Sequence, residues 1–357
     1  MPRKKIADAA TPKPPVSSAT PVPVKGRRMQ MADIARMAGV STSTVSRALS
    51  GSSLIPQATR QRISELAQSL KYTVNVGAAN LRRRDVHTMG VVMLNDSQQL
   101  ISDPFLLGIL GAVADALDVR GMNMLFTRLQ EDRGHLIANL VENGQVAGLI
   151  VIGQLTLHPQ LNELARQGIP MAVWGACLPD AAYAVVGGDN HSGGYQATQH
   201  LIQQGCQRIA FFGDTTHPEA GQRFAGYQRA LQEAGLHLEP ELQQPFVFGD
   251  TRIREGIDQW LDRGLRMDGI FATSDVGAIS IMGALRERGV QVPQQVRVVG
   301  YDDIALSAHV SPSLSTVLQP SQQAGQALVE LLFESLQNRP ARTVLLPARL
   351  VVRDSSL

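Results

Sequence analysis

Thr42, Ser43, Ser46 and Arg47 place three hydroxyls and one guanidinium on a single stretch of chain at helical spacing. Short hydroxyl donors beside an arginine fork suit the reading of base edges and phosphates in a duplex major groove. The flanking residues supply the frame that such a face needs. Ile34, Ala35 and Ala38 recur at helical intervals and give a first short helix one apolar side. Gly39 allows the left-handed backbone of a sharp corner, and Val40 plugs that corner. Ser41 is a good N-cap for a second helix whose inner stripe is Val45, Ala48 and Leu49. A third helix starts at Pro56 and carries Ile63, Leu66, Ala67 and Leu70 inward. Residues 30–50 therefore read as a helix-turn-helix inside a three-helix headpiece with a thin core.

Charge divides the chain at about the same place. Residues 1–84 hold 15 Lys+Arg and 3 Asp+Glu, a net +12, whereas residues 85–357 hold 18 and 28, a net −10. The overall +2 hides a basic front end built for a polyanion and an acidic remainder that a polyanion repels. Residues 1–28, rich in Pro, Ala, Lys and Thr without apolar period, read as a disordered basic tail. No apolar h-region follows the basic residues, so no secretory signal is expected. No apolar run approaches the roughly 18 residues of a membrane span. Two cysteines, Cys177 and Cys206, define no disulfide framework, so a reduced cytoplasmic setting is expected.

From Met89 the pattern becomes strand-sized apolar runs separated by amphipathic helices. Val91–Leu94, Met124–Phe126, Leu149–Ile152 and Met171–Trp174 form one block. Arg208–Phe212, Pro245–Phe248, Gly269–Ala272 and Val296–Gly300 form a second. This βαβ rhythm predicts parallel sheets covered on both faces. The fold class is an all-α helix-turn-helix headpiece joined to a two-lobed α/β body of two doubly wound parallel sheets. The expected boundaries are a tail over 1–28, the headpiece over 29–73, a hinge and linker over 74–87, and the body over 88–357. Within the body the first lobe takes about 88–189 and 320–340, and the second about 190–319 and 341–353. Ligands of such folds collect at the carboxyl ends of strands and between lobes.

These features resemble the LacI/GalR family of bacterial transcriptional regulators. The resemblance rests on Ala32-Asp-Ile-Ala-Arg-Met-Ala-Gly-Val-Ser41, Thr44–Leu49, Leu70-Lys-Tyr72, Asp189-Asn190 with Gly193-Gly194, His200-Leu201, Arg223-Phe-Ala-Gly-Tyr227 and Gly300-Tyr-Asp-Asp303. It runs from about residue 30 to the end and implies a body like that of periplasmic binding proteins. By resemblance, Thr42 and Ser43 open the recognition helix, Thr44 and Ser46 accompany them, and Arg47 reaches a base edge or phosphate. Asn75, Ala78 and Leu81 match a hinge helix, with Leu81 as the wedge into the operator minor groove. Val74 stands where proline is usual and Gly77 falls within the helical stretch, so this hinge should depend more than most on DNA and dimer contacts.

In the body the resemblance implies an effector site. Arg223 and Asp302 would grip the ligand from opposite sides, a donor fork and a fixed acceptor suited to adjacent hydroxyls. Phe105 matches an apolar wall. Trp174 either stacks on a sugar face or belongs to the core. Ser274 fits a polar contact, His217 and Glu219 lie where the family varies specificity, and Asp189 either meets ligand or shapes the crossover. Thr251 stands where relatives often carry an aromatic ring. A sugar or glycoside is the expected effector, with a purine or nucleoside as the alternative. The expected assembly is a homodimer on duplex operator DNA, with no cofactor, metal or membrane partner. Enzymatic function finds no support: the chain lacks a Walker loop, a Gly-x-Gly-x-x-Gly opening a βαβ unit, His-Glu-x-x-His and Gly-x-Ser-x-Gly.

Overall fold

A computed structural model describes residues 30–49, 52, 54–70, 86–95, 103–130, 136–245, 252–264 and 266–357. The chain divides into two compact units, one ending at Arg82 and the other beginning at Arg83. In the first unit, α1 (Met31–Ala38), α2 (Thr42–Leu49) and α3 (Gln57–Ser69) close over Ile34, Val45 and Ile63. Each helix contributes one fully buried branched side chain to this small core. Gly39 takes φ +66°, and the Val40 N–H reaches the Ala35 carbonyl at 3.0 Å, so α1 ends as the glycine predicts. Arg62 of α3 donates to the Ala38 carbonyl at 2.9 Å, satisfying an orphan acceptor at that end.

The second unit holds two six-stranded sheets. The first runs β11–β5–β4–β3–β1–β2, all parallel: β1 Thr88–Asn95, β2 Asn123–Gln130, β3 Leu149–Ile152, β4 Met171–Trp174, β5 Ala184–Gly188 and β11 Thr343–Leu346. Strand alternation sorts its two faces. Met89, Val91, Met93, Ile150 and Ile152 pack under α4 (Pro104–Asp118) and α11 (Ser321–Leu336). Val92, Leu94, Leu149 and Val151 pack under α5 (Ile137–Glu142) and α6 (His158–Arg166).

The second sheet runs β12–β10–β9–β8–β6–β7: β6 Ile209–Phe212, β7 Gln243–Gln244, β8 Gly269–Ala272, β9 Arg297–Asp302, β10 Ser315–Leu318 and β12 Arg349–Val351. Its pairs are parallel except β10 with β12. Here α9 (Arg252–Asp262) and α10 (Asp275–Glu287) cover one face, while α7 (Asn190–Gln203) and α8 (Pro218–Glu233) cover the other.

The sequence-based lobe boundary at 341 needs correction. Thr343–Leu346 pairs with Val185–Gly188 in the first sheet, and the chain crosses to the second only at Pro347–Ala348, before β12. Strand β7 is described over Gln243–Gln244; the expected strand at Pro245–Phe248 lies beyond Pro245 outside the described residues, as do 246–251, including Thr251. So do the tail and the hinge residues Val74, Asn75, Gly77, Ala78 and Leu81.

Helices α7 and α8 touch backbone to backbone through two glycines. A Cβ on Gly194 would lie 2.0 Å from the Arg223 carbonyl oxygen, and one on Gly226 would lie 2.1 Å from that of His191. Backbone cannot give way as a side-chain tip can. Gly194→Ala is expected to lower unfolding free energy by about 1–3 kcal/mol and to displace Arg223, because the clash is with that residue. Urea unfolding followed by circular dichroism measures the first effect; unchanged stability would show that the two helices separate without cost.

Candidate functional site

On α2 the Ser41 Oγ accepts from the Thr44 N–H at 3.1 Å and lies within 2.7–2.8 Å of the Ser43 and Thr44 hydroxyls. The helix is therefore N-capped as expected. Thr42, Ser43 and Arg47 are exposed, while Thr44 and Ser46 are half-buried. Thr44 is drawn into the cap, so the outward face is carried mainly by Thr42, Ser43 and Arg47. The helix N-terminus adds a partial positive charge that suits phosphate.

The second cluster forms at the carboxyl ends of the second sheet's strands. Asp189 N-caps α7 by accepting from the Ser192 N–H at 3.0 Å, and α7 then presents Asn190. The close α7–α8 crossing brings Arg223 beside it: Arg223 Nε donates to Asn190 Oδ1 at 2.8 Å. Nη1 donates to the Thr273 carbonyl at the end of β8, and the guanidinium lies 3.7 Å over the Tyr301 ring. Such stacking is cation–π in kind. Two of the five N–H groups of the expected fork, one at Nε and one at Nη1, are thus engaged by the protein.

Asp302 ends β9 at φ +117°, with Asp303 at +57°, so the turn that begins there is held in backbone that side-chain-bearing residues seldom adopt. Gln319 Nε2 donates to Asp302 Oδ1 at 2.8 Å. Asp303 pairs with Arg353 at 2.7 Å. Behind the turn, the buried Asp275 carboxyl accepts from the Ile304 N–H at 2.9 Å, the Ser307 hydroxyl at 2.6 Å and the Thr316 hydroxyl.

Burial pushes the Asp302 carboxyl well above the ordinary carboxylate range; Arg223 opposes this and Asp103 reinforces it. Burial likewise raises Asp103, against the Phe105 and Leu106 N–H groups and Arg223, and raises Glu219 against Arg223 and His217. The Tyr301 phenol is pushed up to about 12 by burial, with Arg223 opposing the shift.

Asp275 is pushed up to about 6, first by burial, against its three hydrogen bonds. Between the ordinary 3.8 and about 6 the folded protein keeps a proton that the unfolded chain has lost. Its contribution to stability therefore falls as pH rises through that window. Asp275→Asn is expected to remove this component, so unfolding free energies of wild type and variant should diverge between these limits. Parallel pH profiles would refute it.

The first sheet supplies the opposing wall. Asp103 N-caps α4, its Oδ1 accepting from Phe105 N–H at 2.8 Å and Leu106 N–H at 3.3 Å. Phe105 is buried against Trp174, ring centroids 5.7 Å apart, and both belong to the first-lobe core, with Trp174 only 6% exposed. Of the two readings of Trp174, core is the one this burial favours. Ile304, two residues after Asp302, joins that same apolar cluster, so the β9 turn sits against the Asp103–Phe105 corner.

Ser274 is the N-cap of α10, accepting from the Gly277 N–H at 3.1 Å. His217 stands at the N-cap position of α8 without a side-chain cap bond, and Glu219 lies in that helix's first turn. Sequence reading missed Asp103, Thr273, Tyr301 and Gln319. It also missed the network in which Gln154 and His158 meet the Tyr183 hydroxyl, His158 meets Asp180, and Gln154 Oε1 fixes the Ala176 N–H. The Asp-Pro step before α4 was the available signal for Asp103. Among the described residues no helix is long and apolar enough to cross a membrane, and no group of three acidic, His or Cys side chains could hold a metal.

Comparison with known proteins gives these two regions a common context. Residues 30–75 match the model for bacterial regulatory proteins of the lacI family, and residues 198–356 match that for a periplasmic binding protein-like domain. The chain is 32% identical over 339 residues to the HTH-type transcriptional regulator CelR of Thermobifida fusca, spanning 92% of this chain and 98% of the relative. It is 30% identical over 333 residues to the ribose operon repressor of Haemophilus influenzae, spanning 91% and 98%. A solved structure of a transcriptional regulator CelR–cellobiose complex superposes with a TM-score of 0.69 at 29% identity, covering 92% of this chain and all of the other. With 32% identity across nearly the whole of both chains and a matching headpiece, this protein belongs to the LacI family and is a DNA-binding transcriptional regulator.

Proposed function

We propose that the chain acts as a homodimeric repressor whose two headpieces read a near-palindromic operator, released or tightened by a small sugar or glycoside held between the sheets of the body. Thr42, Ser43 and Arg47 make the major-groove contacts, with Thr44 and Ser46 supporting them. Asn75, Ala78 and Leu81 form the hinge that enters the central minor groove. The segments 1–28, 29–73, 74–87 and 88–357 serve as tail, headpiece, hinge and effector body, in a cytoplasmic protein. The observation that carries the effector reading is the meeting of Arg223, Asn190, Tyr301 and Asp302 at strand ends opposite Asp103 and Phe105. Phe105 forms the apolar wall, with Asp189, His217, Glu219 and Ser274 at the margins. The CelR–cellobiose complex supports a glycoside as the effector class.

Selection of bound fragments from a random duplex pool, at physiological salt and with a panel of sugars and nucleosides, tests this reading. The expected result is an inverted-repeat site whose occupancy changes with one sugar. Salt-sensitive binding without an enriched sequence would reduce the basic front end to a phosphate contact. A response to a nucleoside alone would overturn the sugar.

A further inference from the structure

The charged groups that meet around Asp302 are unevenly matched. Arg223, Asp103 and Asp275 act on its carboxyl, while Arg223 and His217 act on that of Glu219. Arg223 is the fixed cation in this set, and part of it is already used. Its Nε serves Asn190, its Nη1 serves the Thr273 carbonyl, and its face lies on Tyr301. Bidentate capture of a phosphate or carboxylate needs two parallel N–H groups on one edge of the fork, and the bond from Nε to Asn190 takes one of the two on the side edge.

The carboxylates are less occupied. Among the described residues, both hydrogen bonds to Asp103 fall on Oδ1, and the one to Asp302 falls on Oδ1 from Gln319. The two carboxyls stand on opposite lobes, Asp103 at the head of α4 and Asp302 at the end of β9, brought near by the packing of Ile304 against the first-lobe core.

We infer that this cleft takes a ligand that is uncharged or cationic at its polar end and rich in donors, its hydroxyl or ammonium hydrogens bridging Asp103 and Asp302, and that it rejects phosphorylated and carboxylated ligands. This rests on the cleft being the effector site. Asp103 becomes a ligand contact of the first lobe, and the ligand's donors offset the repulsion between two facing acids. An anionic ligand meets a guanidinium already bonded to Asn190 and the Thr273 carbonyl and, close by, the Asp103 and Asp302 carboxyls, a combination that binds poorly in a partly desolvated site.

The test is calorimetric titration of the full chain with cellobiose, D-ribose, glucosamine, ribose 5-phosphate, glucuronate and inorganic phosphate. Wild type is compared with Asp103→Asn, Asp302→Asn, the double Asn variant and Arg223→Ala. Asparagine keeps the α4 cap and tolerates positive φ, so these folds are retained. Every compound that binds wild type is expected to be neutral or cationic, with affinity falling about 10- to 100-fold in each single Asn variant. Inorganic phosphate is expected to give no binding to wild type and measurable binding to the double variant, where the opposing charge is gone. Phosphate or ribose 5-phosphate binding to wild type through Arg223 would overturn the inference while leaving the effector site in place. A sugar bound equally well by Arg223→Ala would instead overturn the location of the site. If none of the sugars binds, the phosphate arm decides: a gain in the double variant upholds the charge argument, and no gain overturns it.

Discussion

Arg223→Ala is expected to abolish effector control while leaving operator recognition intact. The side chain joins three elements of the second lobe: Asn190 at the start of α7, the Thr273 carbonyl at the end of β8, and the Tyr301 ring in β9. Truncation leaves the Asn190 amide oxygen and the Thr273 carbonyl without this donor. It also removes the cation that holds down the raised Asp302, Asp103 and Glu219 carboxyls. Losing a partly buried hydrogen bond from a charged group typically costs about 1.5–3 kcal/mol, which would weaken effector affinity by about 10- to 150-fold. Linkage then requires the ligand to lose its hold over DNA affinity, since the coupling between two sites is reciprocal. Calorimetry with the effector and a fluorescence-anisotropy titration of operator DNA measure the two sides separately. Arg223→Lys is expected to rescue little, because an ammonium cannot serve Asn190, Thr273 and the ring together. Equal losses of ligand and DNA binding in Arg223→Ala would mean that the second lobe had simply unfolded.

What could be read beforehand follows a physical division between local and non-local information. Periodicity exposed Ile34, Val45 and Ile63, because a small helical core is built from near neighbours. The strand cores of both sheets were legible for the same reason: a buried parallel strand is a continuous apolar run. Ala184–Gly188, short and ending in two glycines, carries too weak an apolar run to be listed among the strands, yet it is a central strand between β4 and β11. The assignment of Thr343–Leu346 failed differently. Its residues look the same in either sheet, and only pairing with β5 decides.

At the site, the family motifs led to Arg223 and Asp302, but no sequence signal says that Nε and Nη1 are already taken. That depends on a helix crossing set by Gly194 and Gly226. Asp103 was overlooked because capping α4 is a sufficient local reason for an aspartate before Pro104. Its second role exists only once Ile304 brings the other lobe's turn against that corner.

Arg47→Ala is expected to remove operator preference while leaving effector affinity unchanged. The residue is exposed on α2, one turn after Ser43, with Val45 and Ala48 on either side buried in the headpiece core. Its backbone is therefore fixed by packing that the substitution does not touch, and alanine favours the helix. A guanidinium at that place, bidentate to guanine, contributes about 1–3 kcal/mol of discrimination per contact. A two-fold dimer makes the contact twice, so specific affinity should fall by the square of the single-site factor, about 30-fold at the low end and more than 10,000-fold at the high end. Loss of a phosphate contact predicts something else: uniform weakening on all sequences and a salt slope shallower by about one per contact. Measuring binding to the selected operator and to scrambled duplex across a salt series separates the two. If the ratio between operator and scrambled duplex survives in Arg47→Ala, base readout belongs to Thr42 and Ser43, and the guanidinium only anchors the helix to the backbone.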